Sequence, residues 1–221
     1  LVDCDAKALE MACQELGGKQ GALALDITEK NAAETAVRAC IRRFGGLDIL
    51  VSNAGAAWTG KMATLDDNIL RDSFELNFFS HQAFAKAAAN IFDQQGRGGQ
   101  ILFNVSKQAV NPGKSFGAYG IPKAATFFLL RQLALELGEK GVRVNGVNAD
   151  RIRSGLLNDD FIAERANARG IDEMTYMEGN LLQREVEARH VAEAFVALAL
   201  SERTTAHVMT VDGGNIEAAL R

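Results

Sequence analysis

The chain has 221 residues, of which 48% are apolar and 24% charged, with a net charge of −4. That length suits one sizeable core, and the composition is that of an ordinary globular domain. The acidic balance argues against a nucleic-acid footprint, and no apolar run approaches the ~18 residues of a membrane span.

The chain opens with "LVDCDAKALEMACQELGG", read as a strand end followed by a helix near 5–17. Strands are then expected at 22–28 ("ALALDIT"), 47–55 ("LDILVSNAG"), 100–106 ("QILFNVS"), 142–149 ("VRVNGVNA") and 208–214 ("VMTVDGG"). Helices are expected between them, near 30–44, 65–93, 118–139 and 188–201. Strand and helix alternating at this spacing predict βαβ units, and near-continuous apolar strands predict a parallel sheet covered on both faces. The fold class is therefore α/β: a Rossmann-type doubly wound sheet. Such a sheet ordinarily has an earlier strand and a Gly-rich turn before this point. No G-x-G-x-x-G occurs, so the expectation is a domain lacking its first strand and that turn. Residues 155–183 are polar and weakly periodic, as a flap over a site is. No linker or repeat divides the chain, so 1–221 reads as a single dinucleotide-binding domain. Cys4, Cys13 and Cys40 show no metal or redox spacing, and with no signal-peptide pattern they point to a reducing, cytoplasmic setting.

Ligands of open α/β sheets lie beyond the C-terminal strand ends, and notable residues cluster there. Asp3 ends the first strand, as a ribose acceptor or as an N-cap or turn Asp. Asp26 and Ile27 end the next; Asp26 meets an adenine or caps a helix near Glu29. Ser52, Asn53, Ala54 and Gly55 end the third, where small residues allow close backbone approach or a tight turn. Asn77 lies inside a predicted helix, a poor place for Asn without a buried polar role. Ser106 ends the fourth strand, thirteen residues before Tyr119. Tyr119 and Lys123 are one helical turn apart and share a face. A lysine cation there favours the phenolate.

In this order and spacing, Asp3, "DIT", "SNAG", Asn77, Ser106, Tyr119-x-x-x-Lys123, "RVNGVN" and the terminal "VDGG" resemble the short-chain dehydrogenase/reductase family over nearly the whole chain. The resemblance implies that Tyr119 is the acid/base, Ser106 holds the substrate oxygen, Lys123 binds the nicotinamide ribose and Asn77 holds a water leading to Lys123. It implies an NAD site at Asp3, Asp26, Ile27, Asn53, Ala54, Gly55, Tyr119, Lys123, Ile152 and Ser154. NAD is favoured over NADP because of Asp3. It implies no metal, and a homodimer or homotetramer paired through the helices near 65–93 and 118–139. Two rivals share the scaffold: a sugar epimerase or dehydratase, and a non-catalytic dinucleotide sensor. "FNVSKQAVNPG", "AYGIPKAAT" and "VNADRIRSGLL" look like the dehydrogenase domain of bacterial rhamnulose-1-phosphate aldolase/lactaldehyde dehydrogenase proteins, implying lactaldehyde as substrate and a longer chain with an aldolase domain. The sequence departs from the family pattern at Lys107, at Pro122 before Lys123, and at Ala149-Asp150 with Ser154, where "PGxxxT" is common. Pro122 leads to the expectation of an irregular turn at Tyr119. The charges of Asp150, Arg151 and Arg153 read equally as a surface ion-pair cluster or as pocket groups.

Overall fold

A computed structural model describes residues 1–18 and 20–215. In chain order it contains β1 (Val2–Asp3), α1 (Ala6–Glu15), β2 (Leu23–Ala24), α2 (Ala32–Phe44), β3 (Ile49–Ser52), α3 (Asp67–Phe74) and a π-helical turn (Glu75–Phe79). There follow α4 (Ser80–Gln95), β4 (Gly99–Asn104), a 3-10 turn (Lys107–Ala109), α5 (Gly117–Leu137), a second 3-10 turn (Gly138–Lys140) and β5 (Val142–Ala149). The chain continues with α6 (Asp159–Asn167), α7 (Glu173–Met177), α8 (Ala188–Leu200) and β6 (Val208–Val211). Every strand pairing is parallel, so each connection must cross over, and helices supply the crossovers.

β4 and β5 form the centre. Their register pairs Ile101 with Val144 and Phe103 with Gly146. Neighbouring residues on a strand face opposite sides, and β4 shows it. Ile101 and Phe103 pack with Ala85, Ala88 and Phe92 of α4 and with Leu130 and Ala134 of α5. Leu102, between them, packs instead with Ala194 and Leu198 of α8. Helices therefore cover both faces, which is why the centre of β4 is a continuous apolar run, while the buried Asn145 of β5 is satisfied by Thr204 O and His207 N. A further cluster joins Ala33, Ala36 and Val37 of α2 to Phe84 and Ala87 of α4. The ends of α2 and α4 are fixed by Gly45 (φ 82°) and Gly96 (φ 64°), which take the left-handed conformation that ends a helix.

The strands form two sheets, β1–β2 and β3–β4–β5–β6. Among the described residues no strand pairs with both β1 and β3. Val2 and Asp3 on one side and Leu50, Val51 and Ser52 on the other line a common cavity of about 370 Å³. Val51 is half exposed there, although its type belongs in an interior.

Residues 155–183 are better built than their weak periodicity suggested. α6 and α7 enclose a small core of Leu157, Ile162, Ala166, Tyr176 and Met177. Asn158 and Asp172 cap the two helices by accepting from Phe161 N and Thr175 N. Among the described residues no helix is long and apolar enough to cross a membrane.

Candidate active site

The site is built on α5. Tyr119 and Lys123 are both buried, at 7% and 2% exposure, although tyrosine is amphipathic and lysine is almost never interior. The helix starts at Gly117, so Pro122 lies in its second turn and Tyr119 in its first. Tyr119 N–H donates to Phe116 O at 3.1 Å, a tight helical first turn. The expected irregular turn at Tyr119 is therefore absent. Pro122 forfeits only its own N–H bond.

Lys123 Nζ lies 5.7 Å from the Tyr119 ring centroid and donates to Asn104 O at 3.1 Å. Burial pulls its pKa down to about 8. Tyr119 is pushed above the ordinary phenol value by its own burial, and a hydrogen bond with Ser106 opposes this shift. The sequence reading expected the lysine to lower the phenol. Desolvation outweighs that effect in this geometry. Ser106 follows β4 and caps the 3-10 turn, its Oγ accepting from Gln108 N at 3.2 Å.

Asn77 explains its own awkward position. It sits in the π-helical turn between α3 and α4, fully buried. A π-turn inserts a residue into the ladder and frees a carbonyl. Here the Thr126 hydroxyl donates to Asn77 O at 2.8 Å. The Asn77 amide donates to Ala56 O (2.9 Å) and to Ser73 Oγ (3.1 Å). Its Oδ1 is buried without a partner among the described residues, as is Asn104 Oδ1. A Cβ on Gly55 would come 2.8 Å from Asn77 Oδ1 and 3.6 Å from Lys123 Nζ, so this wall requires glycine.

Gly55 also lines a cleft of about 640 Å³ at the C-terminal strand ends. Asp3, Asp26, Ile27, Asn53 and Ala54 line it from one side, Ile152 and Ser154 from the other. The structure thus gathers into one cleft every cofactor residue expected away from α5. Asp3 caps no helix among the described residues but closes a turn with its carboxylate, and Asp26 does not cap α2. Asp5, not Asp3, caps α1, accepting from Lys7 N (2.9 Å) and Ala8 N (3.0 Å), while Asp3 Oδ1 accepts from Asp5 N. Asp26 caps no helix, since α2 begins at Ala32. It accepts from Thr28 N and Thr28 Oγ1, which hold its carboxyl below the usual value. Asn53 accepts from the Asn104 amide at 2.8 Å, and Ser154 Oγ accepts from Leu157 N.

The Asp150, Arg151 and Arg153 group divides. Arg153 forms ion pairs at the surface with Asp159 and Glu185. Asp150 is largely buried, with Lys107 Nζ at 3.0 Å and the Asn215 amide at 2.6 Å. Sequence reasoning missed His81. It is buried, its Nδ1 lies 2.5 Å from Ser52 Oγ, and burial with repulsion from Lys123 lowers its pKa to about 3. A neutral imidazole thus braces the strand end that carries Asn53 to Gly55. Its position four residues after Asn77, on the same helix face, was the available signal.

Residues 1–215 match a family described as enoyl-(acyl carrier protein) reductase. The chain is 31% identical over 193 residues to Short-chain dehydrogenase reductase 3b of Arabidopsis thaliana, covering 86% of this chain and 74% of that protein. The chain belongs to the short-chain dehydrogenase/reductase family. It is also 33% identical over 208 residues to the uncharacterized oxidoreductase YuxG of Bacillus subtilis, covering 89% of this chain. It spans only 30% of that relative's length. Among solved structures of the family, a 7 alpha-hydroxysteroid dehydrogenase complexed with NADH and 7-oxo glycochenodeoxycholic acid superposes with a TM-score of 0.84. The two are 28% identical over 97% of this chain and 82% of that one.

Proposed function

We propose that this chain is an NAD-preferring oxidoreductase that moves a hydride between the nicotinamide and the alcohol or carbonyl group of a small hydroxy compound, such as lactaldehyde. The observation carrying the reading is that Ser106, Tyr119, Lys123 and Asn77, from three separate segments, meet behind one cleft wall at Gly55. The cleft fits a dinucleotide. It has carboxylates at one end, glycine where a Cβ would collide, and unsatisfied buried acceptors beyond it. The nicotinamide, when bound, supplies the hydride chemistry.

The protein's own part is proton management. Ser106 Oγ donates a hydrogen bond to the substrate oxygen and fixes it beside the Tyr119 hydroxyl. In the reducing direction Tyr119 gives its proton to that oxygen as negative charge develops; in the oxidising direction it takes the proton back. The Lys123 ammonium limits the cost of the phenolate. Asn77 Oδ1, a buried acceptor, holds a water through which Lys123 and Tyr119 exchange protons with solvent. Asp3, Asp26, Ile27, Asn53, Ala54, Gly55, Ile152 and Ser154 are the proposed cofactor residues. We read residues 155–183, carrying α6 and α7, as the substrate flap of a single 1–221 domain, in a longer protein that includes an aldolase domain.

The test is kcat/KM for NAD and for NADP with one substrate. A 2′-phosphate beside the Asp3 carboxylate juxtaposes like charges, so NAD is expected to be preferred by at least roughly tenfold, or ~1.4 kcal/mol. Asp3→Ser should narrow the ratio. Equal values in the parent chain remove Asp3 from the site, and no nicotinamide reduction with any small alcohol removes the proposal.

The exposed apolar face of α5 supports the proposed assembly. Phe128 and Leu135 on this helix are 62% and 80% exposed, and Phe79, in the turn leading into α4, is half exposed. An apolar helix with an uncovered apolar face calls for a partner. The expected result is a dimer or tetramer by light scattering at micromolar concentration, reduced to monomer by Leu135→Glu.

A further inference from the structure

A further cavity, of about 260 Å³, begins at the residue after Ser106. Lys107 and Gln108 line it, and Gln108 N–H donates to Ser106 Oγ, so one short turn joins it to the catalytic serine. Its charged lining is five cations, Lys107, Lys114, Arg151, Arg165 and Arg169, against one carboxylate, Asp150. That carboxylate is already matched: Lys107 Nζ lies 3.0 Å away, Arg151 Nε 3.6 Å, and the Asn215 amide 2.6 Å. Lys114, Arg165 and Arg169 form no ion pair among the described residues.

The arginines are held in place. The Arg165 guanidinium stacks 4.7 Å from the Phe116 ring centroid. Arg151 and Arg169 lie 4.6 and 5.0 Å from that of Tyr176. Arg151 Nη1 donates to Tyr176 O and Arg169 Nη1 to Arg165 O at 3.1 Å, which helps to hold these two forks, and the remaining guanidinium N–H groups are the donors that suit a planar or tetrahedral oxyanion. Arg165 Nε is buried without a partner among the described residues. A buried donor of this kind carries a desolvation cost that an anion relieves.

We infer that this cavity holds an anionic end of the substrate, a carboxylate or phosphate monoester, while the carbinol or carbonyl carbon sits at Ser106 and Tyr119. This rests on the oxidoreductase reading above and narrows its substrate class to hydroxy or carbonyl compounds that carry an oxyanion.

Two measurements separate the claims. Calorimetric titration of the full chain with inorganic phosphate, and separately with acetate, is expected to show saturable binding of at least one. That binding should weaken by about tenfold or more in Arg165→Gln and in the exposed Arg169→Gln, since each removes a charge-assisted hydrogen bond. Binding of phosphate only, or of acetate only, supports the site and identifies the group. Binding of neither, or binding indifferent to both variants, overturns it. In kinetics, a carboxylated hydroxy compound should exceed its neutral counterpart in kcat/KM, and Arg169→Gln should reduce that ratio. Equal turnover of both compounds overturns the inference and leaves the oxidoreductase reading intact. Turnover of neither, with anion binding intact and sensitive to both variants, overturns that reading while supporting the anion site.

Discussion

Replacing Tyr119 with Phe is expected to lower kcat by roughly a thousandfold, within the range assigned to a positioned acid or base. The ring stays and only the hydroxyl goes. Tyr119 is buried with its hydroxyl hydrogen-bonded to Ser106. Phe keeps the packing of α5 and loses one hydrogen bond, a stability change of about 1 kcal/mol. NAD affinity should stay within a few-fold. Burial holds the phenol above its ordinary pKa, so it is a proton donor across the neutral range. The reducing direction should therefore be the faster one at neutral pH, and the oxidising direction should gain as pH rises. Near-normal turnover in Tyr119→Phe would reject Tyr119 as the acid/base. Unchanged kcat with a raised KM would make it a binding group only.

What was legible in the sequence was local. The four-residue interval of Tyr119 and Lys123 placed both on one helix face, and the apolar run 142–149 is β5 to the residue. An interior Asn is a local conflict, and Asn77 proved to sit on a π-turn with a buried side chain. The less legible features depend on distant segments meeting. Asp26 resembled a helix cap, but its carboxylate closes on Thr28 and α2 starts later, at Ala32. The 155–183 segment looked only weakly periodic because its core joins residues of two short helices, neither long enough to show a period. The balance of desolvation against Coulomb attraction at Tyr119 depends on burial depth, which spacing does not encode. The basic cavity draws its charges from the 107–116 loop, the end of β5 and α6, so none of the three segments is conspicuous alone.

Lys123→Met should have the second large effect, and it acts on two quantities with opposite signs. Turnover is expected to fall by about a hundredfold or more, because the cation that offsets the phenolate is gone. Stability at neutral pH is expected to rise. The folded-state pKa of Lys123 is about 8, below the ordinary 10.5, since burial disfavours the charged form. Between those values the unfolded chain binds more protons than the native one, so in the parent protein stability increases with pH across that window. Below pH ~8 the penalty is present in full, with an upper bound of about 3 kcal/mol. Met fills similar volume without the charge and removes the penalty. It also leaves Asn104 O without its 3.1 Å donor, which returns about 1 kcal/mol of the gain. The net expectation is a more stable, nearly inactive protein whose stability no longer climbs between pH 8 and 10.5. Urea titrations at several pH values measure this directly. A variant less stable than the parent at pH 7, with the same pH slope, would show that Lys123 is held by interactions strong enough to outweigh its desolvation.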